Sequence, residues 1–230
     1  MREEIKRILL GGGVPAEQAE ALCDYAEFLV SENEKYNLTA LTAPEDIAVK
    51  HFLDSLLPLK FGFPPEGAKV IDVGSGAGLP AIPLAVARPD LDVTALDATG
   101  KKVAFIAKAA EVAGVKVAAV AARAEEAAKP PMRGSFDCAV SRGVAALNVL
   151  CELCMPFVKV GGVFLAYKGR GADAEIAEAK NAVAVLGGEV ERVERAEIGG
   201  AERALVFIRK VKPTHDAYPR PFARIKKKPL

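Results

Sequence analysis

The chain has almost no imbalance of charge: 31 lysines and arginines stand against 30 acids in 230 residues. Such a chain has no overall polyelectrolyte character, so contact with a nucleic acid has to come from a local patch. No apolar run approaches the roughly 20 residues of a membrane span, and no membrane partner is expected. The start, Met1-Arg2-Glu3-Glu4-Ile5-Lys6, lacks the apolar stretch of a signal peptide. Cysteine is scarce: only Cys23, Cys138, Cys151 and Cys154. With no secretory signal, the four read as reduced thiols in a cytoplasmic protein. Cys151-Glu152-Leu153-Cys154 is a single CxxC without a second pair or a nearby histidine. It reads as helix packing, and no metal is expected.

What is present is concentrated in Val70-Ile71-Asp72-Val73-Gly74-Ser75-Gly76-Ala77-Gly78-Leu79-Pro80. A β-branched run ends at three alternating glycines, and a helix follows. The order reads as a strand, a tight turn over a ligand, and a helix N-terminus aimed at that ligand. Pro80 suits the first helical turn, where its missing N–H would be unpaired anyway.

Three segments are expected. Residues 1–61 form an N-terminal helical extension. Its helix over Glu17–Glu32 carries one apolar stripe, and a second begins at Pro44 with Thr42 as its cap. Residues 62–212 form the core, opened by the turn-rich Phe61-Gly62-Phe63-Pro64-Pro65-Glu66-Gly67. Strands are expected over Lys69–Val73, Asp92–Leu96, Lys116–Val120, Phe136–Ser141 and Val163–Tyr167. Helices lie between them over Leu79–Ala87, Gly100–Ala113, Ala122–Ala128 and Val144–Phe157. Strict alternation argues an α/β fold with a mostly parallel, doubly wound sheet. A helix over Asp173–Leu186 and two strands, Glu189–Glu194 and Ala204–Val211, close the core as an antiparallel pair. Residues 213–230 form a basic tail. From Tyr218 onward it carries Arg220, Arg224, Lys226, Lys227 and Lys228 without an acid, as a solvated, mobile end or a phosphate-binding arm does.

The glycine turn is not a dinucleotide fingerprint: the third glycine comes one place early, and Leu79 follows it. Asp72, two residues before the first glycine, would also meet a pyrophosphate badly. S-adenosyl-L-methionine fits better, because a carboxylate favours its sulfonium and ammonium. Asp97, at the end of the second strand, can accept the ribose hydroxyls, with a helix-capping role as the alternative. Gly74, Gly76 and Gly78 complete the cofactor turn.

Five separated motifs then agree in order and spacing. They are Asn37-Leu38-Thr39-Ala40, His51-Phe52-Leu53-Asp54-Ser55-Leu56, the glycine turn, Ser141-Arg142-Gly143-Val144-Ala145 and Tyr167-Lys168-Gly169. From about Asp24 onward the chain resembles the bacterial small-subunit ribosomal RNA methyltransferase G family, also called glucose-inhibited division protein B. The resemblance implies a class I, Rossmann-like fold dependent on S-adenosylmethionine, acting on N7 of one guanine in 16S rRNA to give 7-methylguanosine. It places Gly74 and Leu79 at the cofactor, Asp97, Ala98 and Thr99 along the ribose, and Ala124 and Glu125 beside the adenine. It places Arg142 at the cofactor or the target base and marks Lys168 as a motif lysine. The partner it implies is 16S rRNA or the small ribosomal subunit, bound by a protein expected to be a monomer. Ala81 stands where many relatives have glycine, and Tyr167 where methionine or leucine is usual.

Guanine N7 carries a lone pair and no proton, so transfer to it needs no general base. Orientation dominates, and the candidate orienting residues are Arg142, Asn37 and His51. Asn37 is equally a turn cap and His51 equally a surface residue. Lys168, Arg220, Arg224, Lys226, Lys227 and Lys228 are the candidate RNA contacts, with Tyr36, Tyr218 and Phe222 as stacking platforms. The competing readings are a methyltransferase for a small molecule or protein, a non-catalytic cofactor-gated RNA-binding protein, and a nicotinamide-dependent oxidoreductase.

Overall fold

The computed structural model describes residues 1–230. Its centre is a seven-stranded sheet in the order β3-β2-β1-β4-β5-β7-β6. The parallel strands are β1 (Lys69–Val73), β2 (Asp92–Asp97), β3 (Val117–Ala121), β4 (Phe136–Arg142) and β5 (Val158–Lys168). β6 (Gly188–Ile198) and β7 (Ala201–Lys210) form a hairpin, and β7 runs antiparallel to β5. Strand order reverses between β1 and β4, which opens a crevice beyond their carboxyl ends, where parallel sheets bind ligands.

Each strand's alternation sorts its side chains to two cores. Val70, Val140, Val163, Leu165 and Tyr167 face one side, and Ile71, Val73, Ala139, Phe164 and Ala166 the other. The first face is covered by α1 (Arg2–Gly11), α2 (Ala16–Tyr36), α5 (Ala81–Ala87) and α6 (Gly100–Val112). The stripe Ala19, Leu22, Cys23, Ala26 and Leu29 on α2 is wholly buried there, so residues 1–61 share one core with the sheet. The opposite face carries α7 (Ala124–Ala127), α8 (Leu147–Cys154) and α9 (Ala172–Val185), against which the tail helix α10 (Phe222–Lys227) packs. Cys151 and Cys154 lie in this second core, where burial pushes the Cys151 thiol up to about 12. That is packing, with no thiolate chemistry. No helix is long and apolar enough to cross a membrane.

Several boundaries differ from expectation, each for a physical reason. β5 begins five residues earlier than the Val163 expected, because its first half passes an irregular register at Gly161-Gly162 before pairing cleanly with β4. A Cβ on Gly162 would stand 2.4 Å from Asp137 O, so the glycine that hides the strand is what allows the close approach. The helix from Pro44 is capped at Ala43, not Thr42. It runs as α3 (Pro44–Asp46), a π-helical stretch Ile47–Leu53 and α4 (Asp54–Leu56). Pro80 caps α5 from just outside its first turn.

Candidate active site

At the strand ends the glycine turn bends back over β2. Gly74 and Ser75 donate to Leu96 O at 2.8 and 3.1 Å, and Gly76 N–H donates to Asp97 Oδ2 at 3.0 Å. All three glycines have positive φ, +78°, +61° and +87° for Gly74, Gly76 and Gly78, a region that residues with a Cβ rarely enter. Gly78 supports the turn from outside the site, where a Cβ would meet Ile82 Cδ1 at 2.6 Å.

Two cavities meet at this turn, sharing Gly74, Asp97 and Val144. The smaller, about 190 Å³, is walled by Leu96 and Ala98, by Ala122–Glu125 after β3, and by Leu153 and Phe222. The larger, about 460 Å³, is walled by Gly76, Leu79, Arg142 and Lys102, with Leu38, Thr39 and His51 from the N-terminal extension. Asp97 stands at the junction, 9% exposed. Its oxygens accept Gly76 N–H and Thr99 N–H (2.8 Å), and each keeps a lone-pair direction for a second donor. The cap position of α6 is Thr99, and Asp97 holds only the Thr99 N–H ahead of the helix, so the helix-capping alternative for Asp97 does not describe its place. Thr99 itself and the exposed Asn37 line neither cavity.

Asp72 departs from its expected role. It is fully buried beneath the turn and lines neither cavity. Its Oδ2 accepts Ser75 Oγ (2.6 Å) and the Ala81 N–H (3.1 Å), which pins the start of α5, while Oδ1 has no partner. Desolvation pushes its pKa up to about 6. Asp72 braces the turn from below.

Arg142 ends β4 and joins the sheet to the extension. Its Nη1 donates to Lys50 O and His51 O, both at 3.2 Å, and to Asp54 Oδ2 at 3.0 Å. Nε and Nη2 have no protein partner, and the side chain lines the larger cavity. Asp54, 4% exposed, also accepts Arg203 Nε from β7 at 2.7 Å. Nearby, the Tyr167 hydroxyl donates to Ser55 O at 2.9 Å, which gives the unusual tyrosine a buried structural partner.

His51 is 8% exposed, with Nε2 at 2.9 Å from Thr39 Oγ1. Burial, helped by the Arg142 charge, lowers its pKa from 6.5 to about 4. The ring is neutral at physiological pH. Because the folded state resists protonation, His51 contributes stability that is present above pH 6.5 and is lost as pH falls toward 4. The full term is about 3 kcal/mol. Asp72, raised from 3.8 to about 6, contributes with the opposite sign across an overlapping range. The difference between the wild type and His51→Gln therefore isolates the histidine. Unfolding midpoints followed from pH 7 to 4 should fall less steeply in the variant.

Asn37 caps α2 in the left-handed conformation, φ 50°, a turn-capping role. Asn33, absent from the sequence candidates, holds the following loop: its Oδ1 accepts Leu38 N–H and Thr39 N–H at 2.8 and 2.9 Å. That presents Leu38 and Thr39 to the cavity.

The structure reassigns part of the RNA set. Lys168 is 9% exposed, donates to Ala145 O and pairs with Glu175 at 2.7 Å, so it pins the loop after β4. Arg220 is held by the wholly buried Glu152, its Nε and Nη2 at 2.8 and 2.6 Å from the two carboxylate oxygens. The Arg133 guanidinium takes up the carbonyls of Tyr218 and Thr214. The tail is thus docked through Tyr218 and Arg220, and the mobile end that was one of its two expected forms is not what the structure shows. Arg224, Lys226, Lys227 and Lys228 remain exposed and outside every ion pair. Tyr36 packs on Phe105, Tyr218 packs into the second core, and Phe222 lies in the wall of the smaller cavity.

With the geometry in hand, comparison decides the family. The model of the rRNA small subunit methyltransferase G family matches residues 18–206. The chain belongs to that family. It is 43% identical over 218 residues to the ribosomal RNA small subunit methyltransferase G of Moorella thermoacetica, covering 93% of this chain and 91% of that one. The namesake from Alkaliphilus metalliredigens is 43% identical over 227 residues, covering 96% and 94%. A precorrin-6y C5,15-methyltransferase from Geobacter metallireducens shares the fold alone, with a TM-score of 0.52 and 16% identity over 67% of this chain and 87% of that one. As a family member this chain is a methyltransferase, built on the class I architecture that its sheet order displays.

The cradle leaves room for a ligand at the glycine turn. A Cβ on Gly76 would meet no heavy atom nearer than Gly74 O at 4.0 Å, and Gly76 lines the larger cavity. A methyl there would meet no protein atom within contact distance. Gly76→Ala should fold, at a cost of about 1 kcal/mol for the left-handed backbone, and weaken binding of S-adenosylhomocysteine by at least about tenfold in a calorimetric titration.

Proposed function

We propose that this methyltransferase transfers the methyl of S-adenosyl-L-methionine to N7 of a guanine in 16S rRNA. The observation that carries the reading is the junction of the two cavities at Gly74 and Asp97, with Arg142 lining the larger one. The smaller cavity takes the adenosine and the larger the methionine end and the target base.

The cofactor supplies an electrophilic methyl on a sulfonium. What this chain supplies is placement. Asp97 accepts the ribose hydroxyls on oxygens already aligned by Gly76 and Thr99. Ala98, Ala124 and Glu125 would border the adenine, and Glu125 is itself fixed by Arg123 Nε at 2.6 Å. Arg142 offers its unused donors to the guanine O6 edge or an adjoining phosphate. Holding two reactants in line contributes up to roughly 7–11 kcal/mol of the barrier reduction.

Positive charge builds on the purine as N7 is alkylated, so a bare cation beside it would oppose the reaction. Two features limit that opposition. His51 is neutral, and the Arg142 charge is partly offset by Asp54 at 3.0 Å, a carboxylate it shares with Arg203. No proton has to leave N7, and nothing in the larger cavity has to act as a base. The exposed Arg224, Lys226, Lys227 and Lys228 lie on or beside the tail helix that walls the smaller cavity, where RNA phosphates would add salt-dependent affinity.

RNA in which guanosine is replaced by 7-deazaguanosine tests the acceptor atom. The expected result is transfer to the ordinary RNA and none to the deaza form. Equal transfer to both would overturn N7 as the acceptor.

A further inference from the structure

We propose that Phe222, in the C-terminal tail, is a cofactor-positioning residue: its ring closes the adenine side of the cofactor cavity. The inference rests on the S-adenosylmethionine reading of that cavity and goes beyond it, because it moves part of the tail from the RNA surface to the cofactor site.

Three observations carry it. First, Phe222 lines the smaller cavity together with Asp97, Ala98, Ala122, Ala124 and Glu125. The lining is mostly apolar, with an aromatic wall and two carboxylates, Asp97 and Glu125, the latter paired with Arg123. A purine nucleoside has the same composition, a flat π-face joined to a diol.

Second, the ring is held in place. Two residues earlier, Arg220 is clamped on the wholly buried Glu152 through its backbone N–H, Nε and Nη2. Three residues later, on the same side of the helix, Ile225 is fully buried in the second core. The Arg123 guanidinium lies 4.7 Å from the Phe222 ring centre, and Arg123 also lines the cavity. A ring carried on a segment anchored before and after it, with a cation over one face, is a preformed stacking surface.

Third, the free cations of the tail lie elsewhere on it. Arg224, Lys226, Lys227 and Lys228 are exposed, whereas Phe222 is half-buried at the cavity. One short helix therefore carries two surfaces, one for the cofactor and one for phosphates. Removing the tail should weaken cofactor binding even with no RNA present, which a tail devoted to RNA would not do.

The test uses a property of the composition: the chain has no tryptophan. Phe222→Trp makes the introduced indole the sole such fluorophore, placed at the proposed wall. Titration of the full-length variant with S-adenosylhomocysteine, without RNA, should change the emission saturably, with a midpoint equal to the calorimetric Kd. In parallel, Phe222→Ala should raise that Kd by about tenfold, the range of base–aromatic stacking, while Phe222→Tyr should bind nearly as the wild type does. The unliganded melting temperature of Phe222→Ala reports folding separately. The proposal is overturned if calorimetry shows ligand bound while the indole emission stays constant and the alanine variant keeps the wild-type Kd. If the wild type itself binds no S-adenosylhomocysteine, the cofactor reading fails and takes this proposal with it. That outcome is recognisable because all the variants and the wild type are then equally silent.

Discussion

Asp54→Ala should destabilise the protein by about 3–5 kcal/mol, the usual cost of removing one partner from a buried ion pair. Asp54 is 4% exposed and holds two guanidinium groups, Arg142 at 3.0 Å and Arg203 at 2.7 Å. Removing the carboxylate leaves both cations without a counter-ion in a poorly hydrated place. The loss reaches past the pair, because Arg142 ends β4, Arg203 lies on β7, and Asp54 opens α4 in the N-terminal segment. Asp54→Asn keeps the shape and most of the hydrogen-bond capacity but not the charge, and should fall between the alanine variant and the wild type. Denaturant unfolding of the three proteins at one pH checks the order. An alanine variant as stable as the wild type would mean that the cluster holds nothing together.

Arg142→Ala should lower methyl transfer by at least about tenfold, the effect of losing one positioned hydrogen-bonding group at the transition state. The expectation follows from how the guanidinium is divided. Nη1 alone makes the three structural contacts, to Lys50 O, His51 O and Asp54 Oδ2. The remaining donors are left for a ligand in the larger cavity. Arg142→Lys should not restore the rate, because an ammonium has no fork with which to hold the carbonyls and a ligand together. Cofactor affinity measured alongside separates the two places where Arg142 can act. A fall in kcat with an unchanged Kd for S-adenosylhomocysteine points to the base, and a raised Kd points to the cofactor. Wild-type turnover in both variants would remove Arg142 from the site.

The sheet and the glycine-turn end of the site were legible in the sequence because they depend on local signals. The β-branched run into Asp72, the glycines with positive φ and the carboxylate closing β2 each announce themselves within a few residues. Gly74, Gly76, Leu79, Asp97, Ala98, Ala124, Glu125 and Arg142 all line one or both cavities. What was not legible depends on partners distant in the chain. Arg220 reads as an RNA-binding cation until Glu152, 68 positions earlier, is seen to hold it. Lys168 reads as a phosphate ligand until Glu175 and the Ala145 carbonyl take its ammonium. Asp54 was passed over within its own motif, since its two arginines lie 88 and 149 positions away. The π-helical winding of Ile47–Leu53, whose carbonyls at Lys50 and His51 receive Arg142, leaves no mark on a pattern that reads equally as ordinary helix.

The same distinction explains Asp72 and Phe222. An acid two residues before a glycine turn carries the right charge for a cationic cofactor, but sequence does not say on which side of the turn it lies. Here it lies beneath, pinned to Ser75 and Ala81. An aromatic residue in a basic tail suits RNA stacking equally well, until the tail's docking brings it to the wall of the smaller cavity.

The most direct test of the account is transfer of labelled methyl from S-adenosylmethionine to small ribosomal subunits that lack the modification, followed by digestion and identification of the labelled nucleoside. The account predicts one labelled species, 7-methylguanosine, arising from 16S rRNA. Label in another nucleoside, or no transfer to competent subunits by protein shown to bind the cofactor, would contradict it.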